Sequence, residues 1–256
     1  MEKTYRAINW NVLDDALDKA VWEKLTEQFW LDTRIPLSND LNDWKKMKEE
    51  EHALVEKVFG GLTLLDTLQS VDGMSALKKD ALTSHETAVL NNIEFMESVH
   101  AKSYSSIFST LNTPAEIEEI FEWTEKNEYL QYKAEKICAI YRGDDALMKK
   151  AASVFLESFL FYSGFYAPLY FLGHNRLNNV AEIIKLILRD ESVHGTYIGY
   201  KFQIRYRVLA EEEQEKLKFE IVNLLYDLYQ NEEKYTHELY DELGWTEDVG
   251  IFLRYN

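Results

Sequence analysis

The tetrapeptide Glu-Ser-Val-His occurs twice, in "FMESVHAKSY" at 95–104 and in "LRDESVHGTY" at 188–197. Residues three apart on a helix are neighbours, so Glu97 with His100, and Glu191 with His194, each present a carboxylate beside an imidazole. Both pairs sit in apolar runs, where an ionised glutamate is costly to bury unless it is paired or bound to a cation. A third such spacing, Glu49 with His52, lies in the charged run "KMKEEEH" and reads as solvated surface.

Two more acids stand alone in apolar helical stretches: Asp66 in "GGLTLLDTLQ" and Glu157 in "ASVFLESFLFYSGF". Ferritin-like dinuclear proteins hold two metals with one carboxylate from each of two helices and Glu-x-x-His from each of two others. Matched to that pattern, the candidate ligands are Asp66, Glu97, His100, Glu157, Glu191 and His194. Oxygen-rich ligation with two nitrogens and no thiolate favours iron or manganese over zinc or copper. A hydrogen-bonded network without metal would have to satisfy all six groups among themselves, at high cost. His85, His174 and His237 have no carboxylate three residues earlier and read as structural or capping residues.

A tyrosine follows each pair, and helical phase separates the two. At about 100° per residue, Tyr104 returns to within roughly 20° of Glu97, whereas Tyr197 falls roughly 120° from Glu191 and points away. With 16 tyrosines in the chain, aromatic packing is the ordinary role, but Tyr104 lies one turn beyond a candidate oxidising centre. Phe161 and Phe165, four and eight residues after Glu157, form an apolar wall on its side.

These residues need long helices to carry them. Only 3 Pro and 10 Gly punctuate 256 residues, and no alternating strand pattern persists. Helices are expected over about 15–29, 40–59 running on through "GGLTLLDTLQS", the stretch "ALTSHETAVLNNIEFMESVHAKSYSSIFSTL", 115–127, 129–142, 145–172, 177–208 and 211–241. The expected fold is all-α, a single helical bundle over residues 1–256 with the dinuclear site in its core. The apolar content of 46% is enough for one large core.

Net charge is 28 − 45 = −17, which disfavours nucleic acid as a partner. The single cysteine, Cys138, allows no internal disulfide and suits the cytoplasm. "MEKTYRAINW" carries no signal pattern, and "FLFYSGFYAPLYFL" is too short to span a membrane.

Together, "EQFWLDTRIPLSND", "VFGGLTLLDTLQS", "FMESVHAKSYSSIFSTL", "LESFLFYSGFY" and "EIIKLILRDESVHGTYIGYKFQ" resemble the small, radical-generating subunit of class I ribonucleotide reductase, most closely its class Ib branch. The resemblance runs along nearly the whole chain. It implies a ferritin-like fold and two manganese or iron ions per chain. Asp66, Glu97 and His100 would hold mainly one ion, and Glu157, Glu191 and His194 the other. Tyr104 would be the radical site, in a pocket of Phe161, Phe165 and Ile187. Trp30 and Asp190 would join His100 in the radical-transfer path. The implied partners are a second copy in a homodimer, the large catalytic subunit and a flavodoxin-like activating protein. Family members continue beyond "GIFLRYN" into a tail that docks on the large subunit, so the expectation is a form that makes the radical but delivers it poorly.

Two other functions share the ligand pattern. An oxidase or desaturase needs an open cavity beside the metals, which bulky Phe161, Phe165 and Tyr104 argue against. Metal storage needs an acidic nucleating cage, and net charge alone does not establish one.

Overall fold

The computed structural model describes residues 5–255. The first four residues of "MEKTYRAINW" and Asn256 lie outside the described residues. Among those described there is no strand. In chain order the helices are α1 (Ala16–Glu27), α2 (Leu41–Trp44), α3 (Glu49–Leu68), α4 (Met74–Lys79) and α5 (Ser84–Leu111). Then follow α6 (Pro114–Lys126), α7 (Glu128–Arg142), α8 (Ala146–Phe155) and α9 (Tyr162–Gly173). The last are α10 (Asn178–Tyr206), α11 (Glu211–Tyr240) and α12 (Thr246–Tyr255).

The bundle is built on α3, α5, α10 and the α8–α9 pair. Helix α3 packs on α5 and α9, and α10 packs on α5, α8 and α9. Helix α1 lies against α5 and α10, while α6, α7, α11 and α12 cover the other side. Side chains set most helix starts. Thr83, Asn127 and Asp145 each accept from first-turn backbone N–H groups of α5, α7 and α8. Thr113 and Glu116 close a capping box ahead of Pro114 in α6.

Helix α10 begins differently. Its cap residue Leu177 has a left-handed backbone (φ 50°) and makes no side-chain cap. Asp40 does that work from 139 residues earlier, accepting from the Asn179 and Val180 amides at 2.8 and 2.7 Å. The helix carrying Glu191 and His194 is thus fixed to the segment that follows Trp30.

Close approach also matters at Gly60 and Gly61 in α3. A Cβ on Gly61 would stand 2.5 Å from the Tyr235 hydroxyl, and one on Gly60 would stand 2.9 Å from Ile120 Cγ2. Any side chain there would push α3 off α11 and α6.

Three expectations change. The helix foreseen over 40–59 is broken, because Lys48 is extended (φ −75°, ψ 159°) and Glu51 caps its N–H at 3.0 Å. The acids Glu49–Glu51 therefore open α3, where the helix dipole favours them. His52 is also not plain surface. It is half-buried and stacks on Trp44, with ring centroids 4.0 Å apart and Nε2 2.6 Å from the Trp44 carbonyl oxygen. Glu49 is exposed, as expected. Thirdly, the helix foreseen over 145–172 is interrupted by a π turn at Leu156–Leu160, and α3 runs into another at Gln69–Gly73. "GWTEDVGIFLRYN", given no element from sequence, forms α12.

Among the described residues no helix is long and apolar enough to cross a membrane. The run at 159–172 supplies core residues instead, with Phe161, Phe165 and Phe171 wholly buried.

Candidate metal centre

The four packed segments point their isolated acids at one another. Asp66 comes from the last turns of α3, Glu97 and His100 from the middle of α5, Glu157 from the π turn after α8, and Glu191 and His194 from α10. All six are buried. They form two overlapping groups, Asp66–Glu97–His100–Glu191 and Glu97–Glu157–Glu191–His194, with one donor atom from each residue within 4.8 Å of the others. Each group contains one of the expected trios, and Glu97 and Glu191 belong to both groups.

His100 Nδ1 lies 3.0 Å from Glu191, 3.7 Å from Asp66 and 3.7 Å from Glu97. Its other nitrogen, Nε2, is 3.2 Å from Asp190 Oδ2. A proton on Nε2 donated to Asp190 leaves Nδ1 as the lone-pair donor facing the acids, the usual arrangement behind a metal-binding histidine. His194 Nδ1 lies 2.8 Å from Glu97, 3.4 Å from Glu191 and 3.6 Å from Glu157.

Few of these contacts have hydrogen-bond geometry. Both oxygens of Asp66, Glu97 and Glu191, Glu157 Oε2, His100 Nδ1 and both His194 nitrogens are buried without a hydrogen-bond partner. Leaving so many polar atoms unsatisfied is strongly unfavourable unless something else binds them. Charge points the same way. Four ionised carboxylates sum to −4, which two divalent cations balance. Without cations, protons must serve. Burial, and then the neighbouring Glu97 charge, pushes the Asp66 and Glu157 carboxyls well above their ordinary range. Burial works against the charged imidazoles, but the hydrogen bond to Asp190 and the close Asp66 and Glu191 carboxylates hold His100 well above its usual value. The neighbouring Glu157 and Glu191 carboxylates do the same for His194. The donor set therefore fits two hard or borderline divalent ions such as manganese or iron.

Tyr104, one turn beyond His100, is wholly buried, and its hydroxyl has no hydrogen-bond partner. Burial, and then the Asp66, Glu191 and Glu97 charges, pushes the phenol well above its ordinary pKa. Phe59 stacks on its ring at 5.6 Å. Phe161, Phe165 and Ile187 are also wholly buried, but Phe59, in "VFGG", was not foreseen. Tyr197 faces elsewhere, its hydroxyl donating to Asp18 on α1 at 2.8 Å.

Behind His100, the Asp190 carboxylate accepts from Trp30 Nε1 and from Gln28 Nε2, each at 2.7 Å. Gln28 was not singled out from sequence, although it lies two residues before Trp30 in "EQFW". On the far side, Gln69 Nε2 donates to Glu157 Oε1 and to Ser153 Oγ, and Tyr141 donates to Gln69 Oε1 at 2.6 Å. The only sequence signal for that group was an uncharged amide three residues after Asp66. His85, against Trp10 and the Asn9 carbonyl, is structural, as are His174 capping α9 and His237 paired with Asp241.

The sequence model of the family described as "Ribonucleotide reductase, small chain" matches residues 7–256. The ribonucleoside-diphosphate reductase subunit beta nrdF1 of Mycobacterium tuberculosis is 56% identical over 98% of this chain and 78% of its own length. The ribonucleoside-diphosphate reductase 2 subunit beta of Escherichia coli is 54% identical over the same shares. Among solved structures, the dimanganese(II)-NrdF of Streptococcus sanguinis is 70% identical and superposes with a TM-score of 0.97, over 98% of this chain and 89% of that one. The helical bundle thus recurs in these relatives: the fold is ferritin-like, and the chain belongs to the ribonucleotide reductase small-chain family.

Proposed function

We propose that the chain is the radical-generating subunit of a class Ib ribonucleotide reductase. In this reading Asp66, Glu97, His100, Glu157, Glu191 and His194 hold two manganese or iron ions, and Tyr104 carries the radical. The observation that carries the proposal is the pair of buried ligand groups sharing Glu97 and Glu191, with Tyr104 buried one turn away.

Two ions held by these residues would, once oxidised by dioxygen or through an activating partner, supply a one-electron oxidant for the phenol. The chain's own residues decide how that oxidation proceeds. Tyr104 holds its proton tightly, so it loses the proton together with the electron. In this reading the proton passes toward the ligand acids, of which Asp66 is the foremost charge acting on the hydroxyl. Phe59 stacks on the Tyr104 ring, and in this reading the wholly buried Phe161, Phe165 and Ile187 complete an apolar pocket that excludes water and reductants. The chain His100–Asp190–Trp30 then provides a hydrogen-bonded exit from the core.

Small chains of this family work with a large subunit and are typically dimeric. We assign this chain the same partners, a second copy of itself and a large catalytic subunit, in the cytoplasm. A manganese-loaded form would further need a flavodoxin-like activating protein, because manganese(II) in such a site reacts poorly with dioxygen.

A ribonucleotide reduction assay tests the proposal. With the family's docking tail present, metal-loaded protein mixed with a class Ib large subunit should convert ribonucleoside diphosphates to deoxyribonucleoside diphosphates, and Tyr104→Phe should abolish turnover. Equal turnover by Tyr104→Phe would refute the assignment.

A further inference from the structure

Glu157 differs from the other three site carboxylates. Neither oxygen of Asp66, Glu97 or Glu191 has a hydrogen-bond partner, whereas Glu157 Oε1 accepts from Gln69 and only Oε2 is left for the cluster. That remaining oxygen lies 3.6 Å from His194 Nδ1.

Gln69 is itself held on every polar atom. Its Oε1 accepts from the Tyr141 hydroxyl at 2.6 Å, and its Nε2 donates to Ser153 Oγ at 2.8 Å as well as to Glu157. Turning the amide over would set its oxygen against the Glu157 carboxylate. The phenol, the carboxylate and Ser153 therefore fix one orientation of the amide. All four side chains are buried, so water cannot replace a lost partner.

The backbone is shaped for this contact. Gln69 opens the π turn Gln69–Gly73, and Glu157 lies in the π turn Leu156–Leu160. Single π turns inside helices recur at functional sites. At Gly73 an added Cβ would stand 2.3 Å from Gln69 Oε1 and 3.0 Å from the Tyr141 ring, so the glycine keeps open the space in which amide and phenol meet.

We propose that Gln69, oriented by Tyr141 and Ser153, is a positioning residue that holds Glu157 with a single oxygen toward the second ligand group. Glu97 and Glu191 are thereby left as the acids free to serve both positions. The inference rests on the two-metal reading above. Outer partners of this kind change metal affinity by about 10–100-fold when removed. Because Gln69 touches Glu157 and no other acid of the site, the effect falls on one ion.

The test is a manganese(II) titration of the full chain, followed by the electron paramagnetic resonance signal of free manganese. Wild type is titrated first. Fewer than two sites there would overturn the two-metal reading, separately from the role of Gln69. With two sites in wild type, Gln69→Met should weaken the second by about 10–100-fold and leave the first unchanged. Tyr141→Phe keeps the ring and its packing while removing the donor that orients the amide, and it should give a smaller loss at the same site. A structural role alone would shift both affinities together or neither. Two unchanged affinities in both variants, or equal weakening of both sites, would overturn the proposal.

Discussion

Trp30 and His100 meet through a single oxygen. Trp30 Nε1 donates to Asp190 Oδ2 at 2.7 Å, and His100 Nε2 lies 3.2 Å from that same atom. The two rings are also nearly parallel, 5.9 Å apart at 19°. Residues 160 positions apart in sequence form one polar wire from the acids of the core to the buried Trp30. In Trp30→Phe the radical should still form at Tyr104, because the wire lies outside the ligand groups, while turnover with the large subunit falls to background. Asp190→Asn should lower turnover by about 10–100-fold, since it changes the partner of a ligating imidazole. Comparing radical yield with turnover in the same preparations checks both. Full turnover in Trp30→Phe would remove the wire from the mechanism.

The overlap of the two ligand groups makes metal content diagnostic. Glu97 and Glu191 serve both groups, whereas Asp66 and Glu157 each serve one. Glu191→Ala should therefore lose most of both ions, while Glu157→Ala should retain about one per chain, following the ligand-count logic of carboxylate sites. Glu49→Ala, at an exposed acid of α3, should keep both. Metal analysis after gel filtration decides, and equal loss in all three variants would contradict the grouping.

Away from the site, Lys133 and Glu232 form a wholly buried ion pair at 2.7 Å, with the ammonium 3.7 Å from the centre of the Tyr235 ring. Burial pulls the Lys133 ammonium below its usual pKa, opposed by Glu232. Removing one partner of such a pair leaves an uncompensated charge, so Lys133→Met should destabilise the fold by about 3–5 kcal/mol in urea unfolding. The double variant Lys133→Met with Glu232→Leu should recover most of that loss. Failure to recover would mean that the pair is worth more than the packing that replaces it.

The start of α3 carries a pH-dependent contribution. Arg176 grips both oxygens of Glu51, each at 2.8 Å, and holds its carboxyl below the usual glutamate range. With the folded pKa depressed, the bonus is present above the unfolded value of about 4.3 and is lost as pH falls through the folded pKa. The stability gap between wild type and Glu51→Gln should accordingly be constant above about pH 5.5 and shrink below pH 4. Thermal unfolding of both proteins across that range reads the difference, and a gap that widens on acidification would contradict the sign.

Much of this arrangement was legible in the sequence, for identifiable reasons. A lone acid in an apolar helix announces its need for a partner, which is how Asp66 and Glu157 were found. Helical phase was enough to set Tyr104 and Tyr197 apart, because α5 and α10 are regular over those turns. Phase failed where the helix is not α. In "SVFLESFLFYSGF" every neighbour is apolar, so the extra residue of the π turn leaves no mark on the pattern. Consequently the i+4 and i+8 placement of Phe161 and Phe165 relative to Glu157 was only nominal. Partners supplied across the fold were invisible as well: Asp40 capping α10, Trp44 covering His52, and Tyr141 holding Gln69. In each case the sequence shows the group in need but not the distant residue that meets it.

The most direct test of the central claim is electron paramagnetic resonance of the metal-loaded, oxidised protein and its two tyrosine variants. Wild type and Tyr197→Phe should show the same tyrosyl radical, because the Tyr197 hydroxyl is engaged by Asp18 and faces away from the acids. Tyr104→Phe should show none while retaining both metal ions. A radical that survives in Tyr104→Phe and disappears in Tyr197→Phe would contradict the account.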